Sequence, residues 1–171
     1  MKIMNRKKLI KKLKKNNQIK KQTPTYIEQL NQYRTDFNDY PEIKFLLNNA
    51  LMADHLLSLG KLPQEIPNLE LPDDIQDKIY QQINAKYPLG DPRGDQEWDK
   101  ISAKLPKVDQ QLRSFRDYLE DQYGMWAYIS SSFTNQLAKY LDGKPTLEVM
   151  AGNGYISKGL RDNQANVIAT G

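Results

Sequence analysis

The sequence predicts a mostly α-helical N-terminal region over residues 23–143, followed by an incomplete α/β unit with a short parallel strand pair over residues 144–171. From Tyr26 to Leu141, apolar residues recur every three or four positions, which is typical of helices that bury one face. After Pro145 this spacing is lost, and two short apolar runs, TLEVM and NVIAT, flank a glycine turn and one further helix. The order strand, helix, strand indicates a parallel β-α-β unit.

Capping residues, glycines and prolines divide the helical region into separate helices. Thr25 and Glu28 form a capping box, and Gly60 is suited to a left-handed helix end. Three prolines between residues 63 and 72 exclude a helix there. The segment PLGDPRGD, residues 88–95, is interpreted as a turn-rich connector and as the hinge of the chain. Helices are therefore expected at residues 26–37, 41–59, 73–87, 96–105, 108–123 and 126–141.

The composition indicates one core with additional segments outside it. Hydrophobic residues make up 39% of the 171 positions, which is below the roughly 45–50% of ordinary globular domains. The chain contains no Cys, which excludes disulfides and thiolate metal sites and makes the cytoplasm the expected location. Neither a membrane-spanning segment nor a secretory signal is expected, because no apolar run is long enough.

Charge is distributed unevenly between the first 22 residues and the rest of the chain. Residues 1–22 carry nine Lys and Arg6 without an acidic residue, whereas residues 23–171 carry 15 basic and 21 acidic residues. Like-charge repulsion predicts a flexible basic tail. The tail is either solvated without a dedicated partner or in contact with an RNA or DNA backbone, without sequence choice because Lys dominates. A membrane surface is the least favoured partner, so no membrane contact is predicted.

The only histidine, His55, follows Asp54, and this pair invites a metal or acid-base interpretation. Adjacent residues of a helix do not face each other, so the two side chains cannot converge on one ion. We expect His55 to be structural or exposed, and we predict no metal site. Asp54 falls within the apolar stripe of its helix, where an unpaired carboxylate would be costly. The sequence therefore predicts a polar partner for Asp54 or a gap filled by solvent.

The stretch TLEVMAGNGYISKGL, residues 146–160, has the pattern of a ligand-binding loop. A buried strand that runs into glycines and then into a helix brings bare backbone and a helix N-terminus to one point, which favours negative charge. Glu148 adds a negative charge nearby. A ligand that carries both a carboxylate and a cation suits this combination better than a diphosphate.

The residues LEVMAGNGYISKGL followed by VIAT resemble the first motif and second strand of Rossmann-type S-adenosylmethionine-dependent methyltransferases. Glu148 falls on the acidic residue of that motif, and Gly152 and Gly154 fall on its last two glycines. The resemblance implies that Glu148, Ala151, Gly152, Asn153 and Gly154 line the methionine and adenosyl parts of the cofactor. It also implies that GMWAYISSSFTNQLAKYL is a helix packed beside the cofactor. The aromatic stripe of Trp126, Ile129 and Phe133 in this helix is interpreted mainly as core, with a wall that faces the cofactor as the alternative.

The chain departs from the family pattern at three places. Met150 stands where the first glycine is usual, and Gly171 stands where an acidic residue grips the ribose hydroxyls. The third strand and everything after it, which hold the adenine pocket and the substrate residues, do not follow. The resemblance therefore implies the beginning of a methyltransferase domain, over residues 144–171, which by itself is expected to be inactive and to have an open sheet edge for a completing chain or a second copy.

Other interpretations of the same residues remain open. A dinucleotide fingerprint requires glycine three positions after Gly154, where this chain has Ser157. AGNG is also compatible with a simple tight turn that binds nothing. A functional alternative is a helical module that binds nucleic acid or a partner through its basic tail, with the C-terminal segment as a remnant. The residues name no methyl acceptor and no catalytic residue.

Overall fold

The computed structural model describes residues 23–171 and shows helices first and a small parallel sheet last. This confirms the predicted fold class, a helical region followed by an incomplete β-α-β unit. Segment 1–22, predicted to be a flexible basic tail that is either solvated or in contact with a nucleic-acid backbone, lies outside the described residues. The elements are α1 (Tyr26–Asp36), α2 (Pro41–Ser58), α3 (Ile75–Lys86), α4 (Pro92–Ser102), α5 (Leu105–Arg113), α6 (Phe115–Tyr123), α7 (Ser131–Leu141), β1 (Thr146–Glu148), α8 (Tyr155–Asp162) and β2 (Val167–Ala169).

The core of the helical region forms around α2, which packs along α1 and contacts α5 and α6. The predicted capping box begins α1, since the Thr25 hydroxyl accepts the Glu28 N–H and the Glu28 carboxylate accepts the Thr25 N–H. Gly60, with φ of +69°, follows the end of α2 in the expected left-handed conformation. The most deeply buried apolar side chains of this core are Leu30, Phe37, Ile43, Leu47, Ala50, Ala53, Ile79, Val108, Leu112, Phe115, Leu119 and Met125.

Asp54 of α2 has the polar partners that its position predicts. Its Oδ1 atom accepts the hydroxyls of Tyr118 and Tyr123 of α6, at 2.6 and 2.7 Å. The Tyr118 ring in turn stacks on Tyr26 of α1, with ring centroids 4.4 Å apart. The Asp54 carboxylate thus joins α2 to α6 directly, and the Tyr118 ring extends this contact to α1. His55, the next residue, is exposed.

The tyrosines around Asp54 predict a loss of stability at high pH. Burial, and then the hydrogen bond to the Asp54 carboxylate, raise the pKa of Tyr123 to about 12, and the same two causes raise the pKa of Tyr118. In the unfolded chain, the tyrosine hydroxyl has a pKa of about 10. The folded state retains these protons while the unfolded state loses them, so the free energy of unfolding should stay level below about pH 10 and decrease as the pH rises toward 12.

Urea unfolding at about pH 8 and about pH 11 measures how far the free energy of unfolding falls between the two pH values, and Tyr123→Phe should make this fall smaller. Tyr140→Phe is the matched control, because the Tyr140 side chain is 84% exposed. Equal pH dependence in the native chain and Tyr123→Phe would exclude Tyr123 as a source of the effect.

The turn-rich connector predicted over residues 88–95 is shorter than expected, because α4 begins inside it. Pro92 occupies the first turn of α4, and the Asp91 carboxylate accepts the Arg93 N–H at 2.9 Å and pairs with its guanidinium at 2.7 Å. Gly94 is buried, and a Cβ atom there would lie 3.2 Å from Cβ of Tyr87. Asp91 and Pro92 therefore begin a helix that packs closely against Tyr87.

Two helix boundaries also differ from the prediction. The helix expected over 108–123 is two helices, α5 and α6, which meet at Ser114. The helix expected from Trp126 begins only at Ser131, where the Ser130 hydroxyl caps α7 by accepting the Phe133 N–H. The interpretation of its aromatic stripe as core was wrong, because Trp126 is 71% exposed and Phe133 is 44% exposed.

The β-α-β unit has the predicted parallel pairing. Leu147 of β1 lies opposite Ile168 of β2, and the strands are shorter than the apolar runs that predict them. Between the strands, α8 packs against both α7 and β2. At the crossing of α7 and α8, a Cβ atom on the buried Gly159 would lie 2.4 Å from Thr134 Oγ1 and 2.5 Å from Leu62 Cδ1. Glycine at this position therefore allows the close approach that docks the unit onto the helical region.

Candidate functional site

Three residues in the left-handed conformation shape the loop between β1 and α8. The φ angles are +55° at Met150, +52° at Gly152 and +70° at Gly154. These residues alternate with Ala151 and Asn153, so the chain reverses its path within a few residues and enters α8. A non-glycine residue in this conformation costs roughly 1–2 kcal/mol. Met150 therefore has the backbone conformation that glycine adopts most easily.

Glu148 points at the N-terminus of α8. Its Oε2 atom accepts the Ser157 N–H at 2.9 Å and also accepts the Ser157 hydroxyl. Ser157 is the third residue of α8, and its amide is one of those that the helix itself leaves without an acceptor. The carboxylate thus caps the helix and sets a negative charge beside the loop, where the helix dipole stabilises it.

Asn153 fastens the loop to the helical region. Its Nδ2 atom donates to the main-chain carbonyls of Tyr123 and Gly124, both at 3.2 Å. Gly124 ends α6 with φ of +62°, and a Cβ atom there would lie 2.0 Å from Asn153 Nδ2. The Tyr155 hydroxyl donates to the Tyr123 carbonyl as well, at 2.6 Å. The amide group of Asn153 therefore faces the end of α6, and the exposed backbone around it remains on the solvent side.

Main-chain hydrogen bonds hold the loop against the end of β2. The Thr170 N–H donates to the Glu148 carbonyl at 2.9 Å, and the Ala151 N–H donates to the Thr170 carbonyl at 2.9 Å. A third bond, from the Gly154 N–H to the Ala151 carbonyl at 2.8 Å, closes the turn. Gly152 is exposed and lies at its tip. The loop is thus fixed at both ends and open at its centre.

One face of the two-stranded sheet is apolar and exposed. Leu147 and Ile168, which lie opposite each other in the pairing, are 59% and 64% exposed, and Val149 beyond the end of β1 is 65% exposed. The opposite face lies against α8, since Val167 and Leu160 are buried. Strands of parallel sheets are normally covered on both faces. This sheet therefore has an apolar surface that residues 23–171 do not cover.

The site brings together all five residues predicted from the sequence, Glu148, Ala151, Gly152, Asn153 and Gly154. What it offers a ligand is a short stretch of exposed backbone next to one carboxylate. Ser157, Tyr123 and Gly124 support the site but were not predicted to do so. Ser157 had no local signal, because serine is favoured at the N-cap position and Ser157 is the third residue of α8. The contacts of Tyr123 and Gly124 span about 30 positions of the chain.

Comparison with protein-family models, with curated proteins and with solved structures found no match for this chain. Among residues 23–171, no group of three or more His, Asp or Glu side chains is arranged to hold a metal ion. The helices in this part of the chain are all too short or too polar to cross a membrane.

Proposed function

We propose that this chain is the N-terminal part of a Rossmann-like methyltransferase that uses S-adenosylmethionine. The loop of residues 150–154 binds the methionine and adenosyl parts of the cofactor. When bound in the complete enzyme, this cofactor would supply a methyl group to a nucleophile and would leave as a neutral thioether. Positioning of the two reactants is then the main contribution of the protein.

The observation that carries the proposal is the left-handed backbone at Met150, Gly152 and Gly154. These positions match the alternating glycines of the family pattern, and the one departure, Met150, has the conformation that suits glycine. A simple tight turn requires one or two such residues. Three of them in alternation, between a parallel strand and a helix N-terminus, support a loop whose backbone approaches a ligand closely.

The position of Glu148 favours this cofactor over a dinucleotide. A pyrophosphate binds at a helix N-terminus because the free amides and the helix dipole attract negative charge. Here the Glu148 carboxylate already accepts the Ser157 N–H at 2.9 Å and would repel a diphosphate. S-adenosylmethionine carries a sulfonium and an ammonium group, which a nearby carboxylate attracts. The Ser157 side chain also stands where a dinucleotide fingerprint has glycine.

The exposed apolar face of the sheet supports a domain that further elements complete. A two-stranded sheet is marginal by itself, and both of its edges present unpaired backbone groups. We propose that additional strands and a covering layer, from the same polypeptide or from another chain, pack on Leu147, Val149 and Ile168. Without them half of the cofactor pocket is missing, so the affinity of residues 1–171 should be in the millimolar range.

Titration with S-adenosylmethionine, followed by amide NMR, tests the proposal. The amide signals of Ala151, Gly152, Asn153 and Gly154 should move with millimolar affinity, and ATP or NAD at equal concentration should move them less. Absence of shifts in this loop at cofactor concentrations well above millimolar, or larger shifts with ATP or NAD, would contradict the proposal.

Glu148→Gln separates the role of charge from that of the cap, because the glutamine oxygen can still accept the Ser157 N–H. We expect this variant to bind S-adenosylmethionine about threefold more weakly, which corresponds to a weak exposed charge interaction. Glu65→Gln is the matched control, since Glu65 is exposed and outside the loop. Equal changes in both variants would remove the assigned role of Glu148.

A further inference from the structure

A cleft of about 600 Å³ opens on the helical region, and none of the residues that line it belongs to the loop of residues 150–154, called the glycine loop below. One wall is the extended segment 66–70, and the other is the non-helical segment 125–128. Helices α5 and α6 form the floor. Its volume lies within the range of roughly 300–1,000 Å³ that is usual for small-molecule sites.

The floor of the cleft is apolar and already folded. Its side chains Leu112, Phe115 and Leu119 are at most 2% exposed, and Leu69 and Met125 of the two walls are buried as well. Each wall is pinned to its surroundings. The Leu71 N–H donates to Asp109 Oδ1 at 2.8 Å, and the Tyr128 hydroxyl donates to the Gln64 carbonyl at 2.5 Å. A ligand would therefore lose little binding energy to ordering of the protein.

Two arginines line the cleft, and their surroundings differ. Arg113 pairs with Glu70 and with Asp109, both at 2.7 Å, so its guanidinium is already engaged by two carboxylates. Arg116 makes one hydrogen bond among residues 23–171, a long one of 3.4 Å from Nη2 to the Trp126 carbonyl. Its guanidinium therefore keeps donors in the fork geometry that binds carboxylate, sulfonate or phosphate groups.

We propose that this cleft binds a small, mainly apolar molecule with one anionic group. The apolar body lies between the walls, against the half-buried Ile66, Pro67 and Tyr128 and above the buried floor, and the anion pairs with Arg116. The choice of an anion follows from Arg116, because Arg113 already pairs with Glu70 and Asp109, whereas Arg116 forms no ion pair among residues 23–171. The proposal does not depend on methyl transfer, since none of its residues belongs to the glycine loop.

Anilinonaphthalene sulfonate and its uncharged relative phenylnaphthylamine test the proposal on the full chain. Both have an aromatic body of the right kind, and only the first carries an anion. In fluorescence titrations, Arg116→Gln should weaken binding of the sulfonate about tenfold and change binding of the neutral probe less than about twofold. Arg34→Gln, an exposed arginine of α1, should change neither. Amide NMR with the sulfonate should show shifts in segments 66–70 and 112–128.

The exposed sheet face is the competing site for such dyes, and Ile168→Thr distinguishes the two. This variant keeps a β-branched residue in β2 and should leave binding of both probes unchanged. Equal weakening of both probes by Arg116→Gln, or no weakening, would overturn the proposal. Loss of binding in Ile168→Thr, or amide shifts confined to the sheet, would overturn it as well.

Discussion

Gly159→Val should loosen the β-α-β unit from the helical region. The first added atom would lie 2.4 Å from Thr134 Oγ1 and 2.5 Å from Leu62 Cδ1, which is closer than real contacts allow. Thr134 is completely buried and Leu62 nearly so, so the surrounding core resists the shift that the added atoms require. Overpacking of this kind costs about 3 kcal/mol. Hydrogen exchange should show the largest loss of protection at Thr146, Ala151 and Thr170, which form the main-chain bonds of the sheet and loop.

Asn135→Val is the control for this substitution. It also places valine in a helix of the same crossing, on α7, but at an exposed position. Its effect on the free energy of unfolding should stay within about 0.5 kcal/mol. The destabilisation by Gly159→Ala should lie between those of Gly159→Val and Asn135→Val. Alanine adds the same first atom as valine, but relative to glycine it gains about 1 kcal/mol in helix propensity. A native exchange pattern in Gly159→Val would show that the crossing is looser than the structure indicates.

Asp54→Ala should destabilise the helical region by about 2–3 kcal/mol, because two tyrosine hydroxyls lose their acceptor. The bonds from Tyr118 and Tyr123 are 2.6 and 2.7 Å long and join α2 to α6. Urea unfolding followed by circular dichroism measures the loss. Asp54→Asn keeps one carbonyl oxygen as an acceptor, so it should lower the free energy of unfolding by less than Asp54→Ala. A double-mutant cycle with Tyr118→Phe should give a coupling energy of about 1 kcal/mol.

Asp121→Ala provides the comparison at an exposed site of α6, and it should change the free energy of unfolding by less than about 0.5 kcal/mol. If Asp54→Ala were no more destabilising than Asp121→Ala, water would be replacing the carboxylate at no cost. The interpretation of Asp54 as a structural acceptor would then fail.

Local signals in the sequence were enough for the helices that begin and end with strong capping residues. Thr25 and Glu28 begin α1, and Gly60 and Gly124 follow α2 and α6 in the left-handed conformation. The segments where prediction failed have local signals that mislead. Asp91 and Pro92 are as common in turns as at helix starts, and only the packing of Gly94 against Tyr87 distinguishes the two.

The apolar spacing from Trp126 onward misled for a different reason. Periodicity predicts which side chains share a face, but it does not say where a helix begins or which face is covered. Ser130 caps α7 and the Ser131 N–H donates to the Pro63 carbonyl at 2.8 Å, so the chain before Ser131 is extended. Phe133 is then left 44% exposed. The start of α7 at Ser131 thus involves a contact with Pro63, which is distant in the sequence.

For the candidate site, the sequence predicted the place of the loop but not the orientation of its side chains. Strand, glycines and helix follow each other in a short stretch, so their order suffices to locate the turn. The bond of Glu148 to Ser157 crosses that turn, and the bonds of Asn153 reach the end of α6. Such contacts depend on how the unit docks, which no local pattern contains.

The close crossing at Gly159 implies an order of folding. Two strands of three residues each cannot hold their pairing alone, and their support comes from α7, Leu62 and the carbonyls at the end of α6. The helical region, rich in contacts between neighbours in the chain, can form first and rapidly. We expect the helical region to act as the template on which the C-terminal strands assemble. During synthesis the helical region leaves the ribosome first, so it can be folded before the strands that pack on it are complete.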